Sequence, residues 1–112
     1  MVTMHGFFDL KDGLTETEFR KAYDDFGAHL TSQNMIIDYK AMRRSFHDGY
    51  DSGAPETRFY INMDFEDIQQ ANACWDYIEE RRDGSHGYHV KVYAQIKNAS
   101  FFLSEDIPAE TS

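Results

Sequence analysis

The 112-residue sequence predicts an α+β fold in which four antiparallel strands form one sheet and two helices cover one of its faces. Two patterns predict this fold. Four segments alternate apolar and polar residues, the period expected of strands with one buried face. Two other segments repeat apolar residues every three or four positions, the period of an amphipathic helix. Their order along the chain is strand, helix, strand, strand, helix, strand.

The four predicted strands cover residues 2–10, 34–44, 58–63 and 89–97. The last is the most regular, because Val90, Val92, Ala94 and Ile96 alternate with His89, Lys91, Tyr93, Gln95 and Lys97. Such a strand places one set of side chains on a helix-covered face and the other set on the opposite face. The same division in all four strands predicts a sheet with one apolar face and one polar, aromatic face.

Local signals define the helices. Thr15 and Glu18 have the spacing of a capping box, and Phe19, Ala22, Tyr23, Phe26 and Leu30 form the apolar stripe of the first helix. Asp64 is predicted to cap the second helix and Gly84 to end it. The buried stripe of that helix is predicted to contain Ile68, Ala71, Trp75 and Ile78.

Right-handed crossovers pack both helices against the same face of the sheet, which is the ferredoxin-like βαββαβ arrangement. Residues 1–104 are predicted to form this single domain, and residues 105–112 an acidic C-terminal tail. The face opposite the helices is predicted to carry Phe7, Ile36, Met42, Tyr60 and Tyr93 among polar residues. That face is too apolar for the surface of a soluble monomer, so we expect two copies to pair through their sheets.

Charge and cysteine content limit the classes of partner. Eleven basic and twenty acidic residues give a net charge of −9, which disfavours binding to phosphate backbones and to anionic membranes. No segment approaches the roughly 18 consecutive apolar residues of a membrane span. Cys74 is the only cysteine, so no intrachain disulfide can form, and we predict a cytoplasmic protein.

The order of elements and the two-faced strands resemble the dimeric α+β barrel superfamily over roughly residues 2–103. The resemblance implies a homodimer in which two sheets meet face to face and each subunit encloses a cavity. Members of this superfamily include cofactor-independent monooxygenases, small lactone isomerases and haem-degrading enzymes. Residues Phe101–Leu103 occupy the position where such proteins often reach across to the partner subunit.

The RNA-recognition motif has the same topology and is the alternative that fits less well. Phe7 and Tyr60 could stack bases, but residues 58–65 depart from the signature of that motif. Phe59 replaces its first glycine, Ile61 its small residue and Asn62 its second stacking aromatic. With the net charge of −9, these departures argue against RNA as a partner.

His5 and His89 are the candidate general bases, because imidazole exchanges a proton near neutral pH. On the predicted sheet they lie on adjacent strands, although the sequence does not give their register. The candidate ligand-binding residues are Phe7, Ile36, Met42, Tyr60, Asn62, Tyr93 and Gln95. Two histidines and Asp38 lack the tight spacing of a metal site, so we expect neither a metal nor another cofactor.

Two functions remain open at this point. The first is a homodimer that binds a hydrophobic small organic molecule, such as a fatty-acid-like compound, in a cavity between sheet and helices. The second is a cofactor-independent enzyme of the monooxygenase or isomerase type that uses a histidine base in the same cavity. Ligand binding is favoured, since no acid–base pair with recognisable spacing stands out in the sequence.

Overall fold

The computed structural model describes residues 1–53 and 55–109 of the chain. Its strands are β1 (Val2–Leu10), β2 (Asp38–Arg43), β3 (Phe59–Phe65) and β4 (Ile96–Glu105). Its helices are α1 (Glu16–Ser32), α2 (Ile68–Glu79) and α3 (Ser85–Tyr93), with a 3-10 turn at Arg82–Gly84 between the last two. The sheet is antiparallel with strand order β2-β3-β1-β4. The predicted ferredoxin-like fold is therefore correct.

Helix α1 begins as its sequence predicts. The Glu18 amide donates to Thr15 Oγ1 at 3.1 Å, and the Thr15 amide donates to Glu18 Oε2 at 3.3 Å, so the capping box is complete. The buried face of α1 lies on the sheet, where the fully buried Tyr23 hydroxyl donates to the Asn62 carbonyl at 2.7 Å. This bond fixes α1 against β3, and burial raises the pKa of the Tyr23 hydroxyl.

The second crossover differs from the prediction. Asp64 lies within β3, and Asp67 is the residue that caps α2, accepting from the Gln70 amide at 2.8 Å. The helix ends at Glu79 rather than at Gly84. Arg81, Asp83 and Gly84 then adopt positive φ angles, and they turn the chain into α3. Two helices thus replace the single one predicted.

The predicted fourth strand is wrong, because residues 85–93 form α3 and β4 runs from Ile96 to Glu105. Packing against α1 explains the helix: Tyr88 stacks on His29 with ring centroids 4.7 Å apart, and Val92 is buried. The following segment pairs with β1 from Val2 to Leu10. Short alternating runs fit either element, so tertiary contacts decide between them.

The alternation of buried and exposed residues before β2 is also opposite to the prediction. Ile36 is buried in the core at 3% exposure, and Ile37 is 42% exposed. The reason is a turn: Asn34 has a φ of 59°, and the Met35 amide bonds back to the Leu30 carbonyl at the end of α1. The strand starts only at Asp38, so the alternation cannot be extended backwards to residue 34.

Gly27 allows α1 to approach the sheet. A Cβ at this position would lie 2.6 Å from three ring atoms of Tyr39. We expect Gly27→Ala to lower the free energy of unfolding by about 1–3 kcal/mol, as overpacking does. Gly87→Ala in α3 is the matched control, since a Cβ there meets no atom within 4 Å and the helix should gain about 0.5–1 kcal/mol. Urea denaturation of both variants measures the two effects, and equal shifts would contradict this account.

Candidate functional site

The face of the sheet opposite the helices collects side chains from all four strands. Antiparallel pairing places His5 opposite Asn62 on β3 and opposite Phe102 on β4. Phe7 lies opposite Tyr60 on β3 in the same way. Since paired residues point to the same side of a sheet, these five side chains share one surface.

A chain of hydrogen bonds crosses this surface through His5. His5 Nδ1 is 2.6 Å from the Tyr60 hydroxyl, and His5 Nε2 is 2.7 Å from Ser104 Oγ. Asn62 Nδ2 donates to the Tyr60 oxygen at 3.2 Å. Both ring nitrogens of His5 are therefore engaged by hydroxyl groups, and the phenol of Tyr60 has a second partner. Asn62 Oδ1 is buried without a partner among the described residues.

Four rings surround this chain, and we call them the sheet-face cluster: His5, Phe7, Tyr60 and Phe102. His5 stacks on Phe102 with centroids 4.9 Å apart, and Phe7 lies 5.0 Å from Tyr60. Phe7 and Phe102 are 6.3 Å apart, and His5 and Tyr60 are 5.8 Å apart. The rings form a closed group in which His5 is held by stacking as well as by hydrogen bonds.

The charged side chains of this face lie toward one end of β3 and on β2. Asp38 on β2 lies opposite Asp64 on β3 in the strand register. Asp64 accepts a hydrogen bond from Thr3 Oγ1 at 2.8 Å. Lys40 lies opposite Asn62 on the edge strand β2. The sheet-face cluster itself carries no carboxylate or ammonium group. An apolar centre with charged surroundings is the pattern of a protein interface.

The structure brings together five of the predicted site residues and separates the other four. His5, Phe7, Tyr60 and Asn62 lie together, and Met42 lies on the same face beside Tyr60. Ile36 is not on this face, because it is part of the hydrophobic core. His89 and Tyr93 are on α3, and Gln95 lies in the turn before β4, where its Nε2 donates to the Lys91 carbonyl. The prediction that the two histidines lie on adjacent strands of one face is wrong, since His89 lies on α3, on the other side of the sheet from His5.

His89 and Tyr93 belong to a second group of rings between the helices and the sheet. We call it the helix-side row: Phe26, His89, Tyr93 and Phe101. Successive centroids are 5.8, 5.6 and 6.4 Å apart. Phe101 lies over Gly6 of β1, where a Cβ would be 2.6 Å from the ring, so a glycine is required beneath it. Tyr93 and Phe101 are both partly open to solvent.

His89 has the electrostatics of a neutral base. Burial lowers its pKa below the ordinary value of 6.5, the neighbouring His86 lowers it further, and Glu79 opposes the shift. Among the described residues, no side chain or backbone group forms a hydrogen bond with its ring nitrogens. A neutral imidazole without a partner can accept a proton or a hydrogen bond from a bound molecule.

The predicted site lacked Phe101, Phe102 and Ser104, which the structure places on β4. Their segment has its own alternation, with Ser100, Phe102 and Ser104 pointing to the sheet-face cluster and Phe101 and Leu103 to the helices. That pattern is visible in the sequence. The prediction of a fourth strand at residues 89–97 leaves this segment outside the predicted sheet.

Other features of the described residues give weaker evidence of a functional site. An open depression of about 650 Å³ lies between the start of α1 and β2, and of the predicted ligand-binding residues it contains Met42. In the part of the chain that the structure describes, three or more His, Cys, Asp or Glu side chains nowhere gather as a metal site would require. None of the described helices combines the length and the apolarity needed to cross a bilayer. Burial raises the pKa of Cys74 to about 11, as for a packed thiol.

Comparison with known protein families identifies the family of this chain. A family model described as "Family of unknown function (DUF6614)" matches residues 1–112. The chain belongs to this family. No protein of curated function matches the sequence significantly.

Several solved structures have the same fold as this chain. At3g17210 from Arabidopsis thaliana has a TM-score of 0.78 and 5% identity, covering 99% of this chain and 100% of that one. SnoaB from Streptomyces nogalater, a cofactor-independent oxygenase, has a TM-score of 0.70 and 11% identity over 96% and 94%. A dimeric ferredoxin-like protein of unknown function from Thermobifida fusca has a TM-score of 0.58 and 10% identity over 92% and 88%. The DUF6614 chain thus shares the fold of dimeric ferredoxin-like proteins, as its sequence pattern predicted.

Proposed function

We propose that the chain forms a homodimer through the sheet face and binds a hydrophobic small organic molecule between α3 and the sheet. The observation that carries the ligand site is His89, a half-buried neutral imidazole without a partner among the described residues, set in the helix-side row. The aromatic neighbours provide an apolar surface, and the imidazole provides one polar contact. Small-molecule sites commonly combine these two elements.

The sheet face supports the dimer by its composition. The sheet-face cluster is aromatic, contains no carboxylate, lysine or arginine, and is partly exposed, although the chain as a whole has a net charge of −9. Burying such a surface against a second copy removes apolar area from water. The dimeric ferredoxin-like protein from Thermobifida fusca shows that this fold supports self-association elsewhere. The cytoplasmic location and the domain boundary at residue 104 stay predictions.

Native mass spectrometry of protein purified from cells tests both parts together, since it reports the subunit number and any molecule that co-purifies. We expect a dimer that carries a neutral apolar compound. A monomer would contradict the use of the sheet face, and a dimer without a bound compound would leave the ligand site to the direct binding test.

The direct test uses 2-naphthol, a fluorescent aromatic alcohol that can stack on Tyr93 and donate to His89. We expect His89→Phe to weaken its binding about tenfold, because one hydrogen bond to a partly buried acceptor is lost while the ring is kept. His47→Phe, in the connection between β2 and β3, is the control and should bind normally. Fluorescence titration measures both, and equal affinities would contradict the site.

The pH dependence of this binding has a defined sign. Desolvation lowers the pKa of His89, so the imidazole stays neutral at pH 7 and accepts the hydrogen bond. Binding should therefore be constant between about pH 6.5 and pH 8, where 2-naphthol keeps its own proton, and decrease as the pH falls through the lowered pKa. Loss of affinity as the pH rises within that range would contradict the role of His89 as an acceptor.

A cofactor-independent enzyme is the second candidate, because SnoaB has this fold and a neutral His89 can act as a general base. The two candidates differ in what His89→Phe does to the co-purified molecule. If the wild-type protein converts that molecule and the variant binds it without converting it, the chain is an enzyme. If neither protein changes the molecule, the chain is a binding protein.

A further inference from the structure

Helix α3 is a weak helix by its own sequence. It has nine residues, with Gly87 near its start and the β-branched Val90 and Val92 in its second half. Each of these residues lowers the helical preference of a chain, and isolated helices of this length are not stable in water. Gly84 precedes the helix and provides no side-chain cap. The stability of α3 must therefore come from its contacts with the rest of the protein.

A small part of α3 supplies those contacts. Ser85 and Val92 are its buried residues, whereas Val90 and Tyr93 are exposed. Between them, Tyr88 stacks on a histidine ring of α1 with centroids 4.7 Å apart. Segments that bury little apolar surface are the first to open in a native protein. We therefore expect α3 to open at a lower cost in free energy than α1 or the sheet.

One tyrosine joins the start of α3 to the other two helices. The Tyr77 hydroxyl of α2 donates to Asp83 Oδ2 at 3.1 Å and lies 3.0 Å from His29 Nε2 of α1. In the tautomer that carries its proton on Nε2, His29 donates to the Tyr77 oxygen. Ser85 Oγ, which is buried, donates to the Tyr77 carbonyl at 3.2 Å. Burial and the bond to Asp83 raise the pKa of Tyr77 to about 12, so the hydroxyl keeps its proton and remains a donor.

The turn that Tyr77 holds is strained. Arg81 and Asp83 have φ angles of 57° and 51°, in the left-handed region that residues with a Cβ avoid. Beyond the other end of α3, Asn98 has a φ of 56° at the point where the pairing of β4 with β1 shifts register. Release of the Asp83 bond lets residues 80–84 unwind and lengthen. The chain thus has an irregular point on each side of α3 about which the helix can move.

We propose that α3 is a lid over the ligand site and that the Tyr77–Asp83 bond is its latch. A molecule that fills the space between α3 and the sheet enters and leaves when the helix moves away. This role of α3 rests on the proposed function, since the site that it covers is that of His89. The lid lies on the helix side of the sheet, so its movement does not disturb the face through which the proposed dimer forms.

A lid changes the rates of binding and leaves the affinity unchanged. The latch is made in the closed state whether the site is empty or filled, and opening precedes both entry and exit. A variant that eases opening therefore raises the association and dissociation rate constants by the same factor, and Kd stays the same. A residue that only shapes the site would change Kd instead.

Tyr77→Phe removes the latch hydroxyl and keeps the buried ring. Stopped-flow fluorescence with 2-naphthol measures both rate constants, and we expect each to rise about tenfold with Kd within about twofold of wild type. Hydrogen exchange should show the amides of α3 about tenfold less protected, with β1 and β3 unchanged. Tyr23→Phe is the matched control, because it removes a buried hydroxyl that bonds to the sheet, and it should leave the rate constants and the exchange of α3 as in wild type.

Gly87→Ala tests the lid in the opposite direction. The added methyl group favours the helical state and meets no neighbouring group within 4 Å, so both rate constants should fall about two- to fivefold with Kd unchanged. Equal rate constants in all the variants, or an effect of Tyr77→Phe on Kd alone, would overturn the lid and leave the ligand site standing. Absence of 2-naphthol binding in every protein would overturn the proposed function and the lid with it.

Discussion

Phe102→Glu is expected to convert the proposed homodimer into a folded monomer. The ring of Phe102 is 51% exposed in the single chain and lies on His5 at the centre of the sheet-face cluster. In a two-fold dimer through this face, the substitution places two carboxylates in a largely aromatic interface. Like charges placed together in an interface cost several kcal/mol. We therefore expect the dissociation constant to rise at least about 100-fold.

Sedimentation velocity measures this change, with circular dichroism to show that the variant is folded. Trp75→Glu is the matched control. Trp75 was wrongly predicted to be buried, since it is 66% exposed on α2, away from the sheet face. It introduces the same charge in place of an exposed aromatic ring and should leave the dimer intact. A dimer that survives Phe102→Glu, or dissociates equally with Trp75→Glu, would refute pairing through the sheet face.

Phe8→Ala and Phe7→Ala should affect different properties although the residues are neighbours. Phe8→Ala should lower the stability of the monomer, and Phe7→Ala should weaken the proposed dimer. Phe8 is 0% exposed and packs against Phe19 and Phe59 with centroids 4.9 and 5.8 Å apart. Its truncation removes a buried ring and leaves a cavity, which costs about 3–5 kcal/mol. A loss of that size is a large fraction of the stability of a small domain.

Phe7 points to the other face, where it lies beside Tyr60 and is only half-buried. Phe7→Ala should change monomer stability by less than about 1 kcal/mol and weaken the dimer instead. Urea denaturation at low protein concentration measures the stability of the monomer. Sedimentation at several protein concentrations measures the strength of the dimer. If Phe7→Ala destabilises the monomer as much as Phe8→Ala, the assignment of the two faces is wrong.

The sequence predicts what local chemistry determines. Thr15 and Glu18 need only each other to start α1, and the alternation of β1 and β3 is long enough to divide Phe7 from Phe8. The fold class followed from these elements and from the handedness of crossovers. Five of the nine predicted site residues share a face for the same reason.

The remaining residues depend on contacts between distant segments. Val90 and Val92 alternate like strand residues, but α3 forms because Tyr88 and Val92 find partners on α1 and in the core. The identity of the fourth strand decides which residues meet His5. Ser104 and Phe102 therefore replaced His89 and Tyr93 as its neighbours, and no periodicity within residues 89–97 could show that.

The two edge strands of the sheet differ in charge, and therefore in their tendency to pair with a strand of another chain. Strand β2 carries Asp38, Lys40 and Arg43 within six residues, and charges of this kind discourage a further strand from adding to an edge. Strand β4 has no charged residue from Asn98 to Ser104 and holds Phe101–Leu103 in the open. Uncharged apolar edges are the sites where β-proteins aggregate. Conditions that leave β4 uncovered should therefore favour aggregation that starts at this strand, with β2 remaining protected.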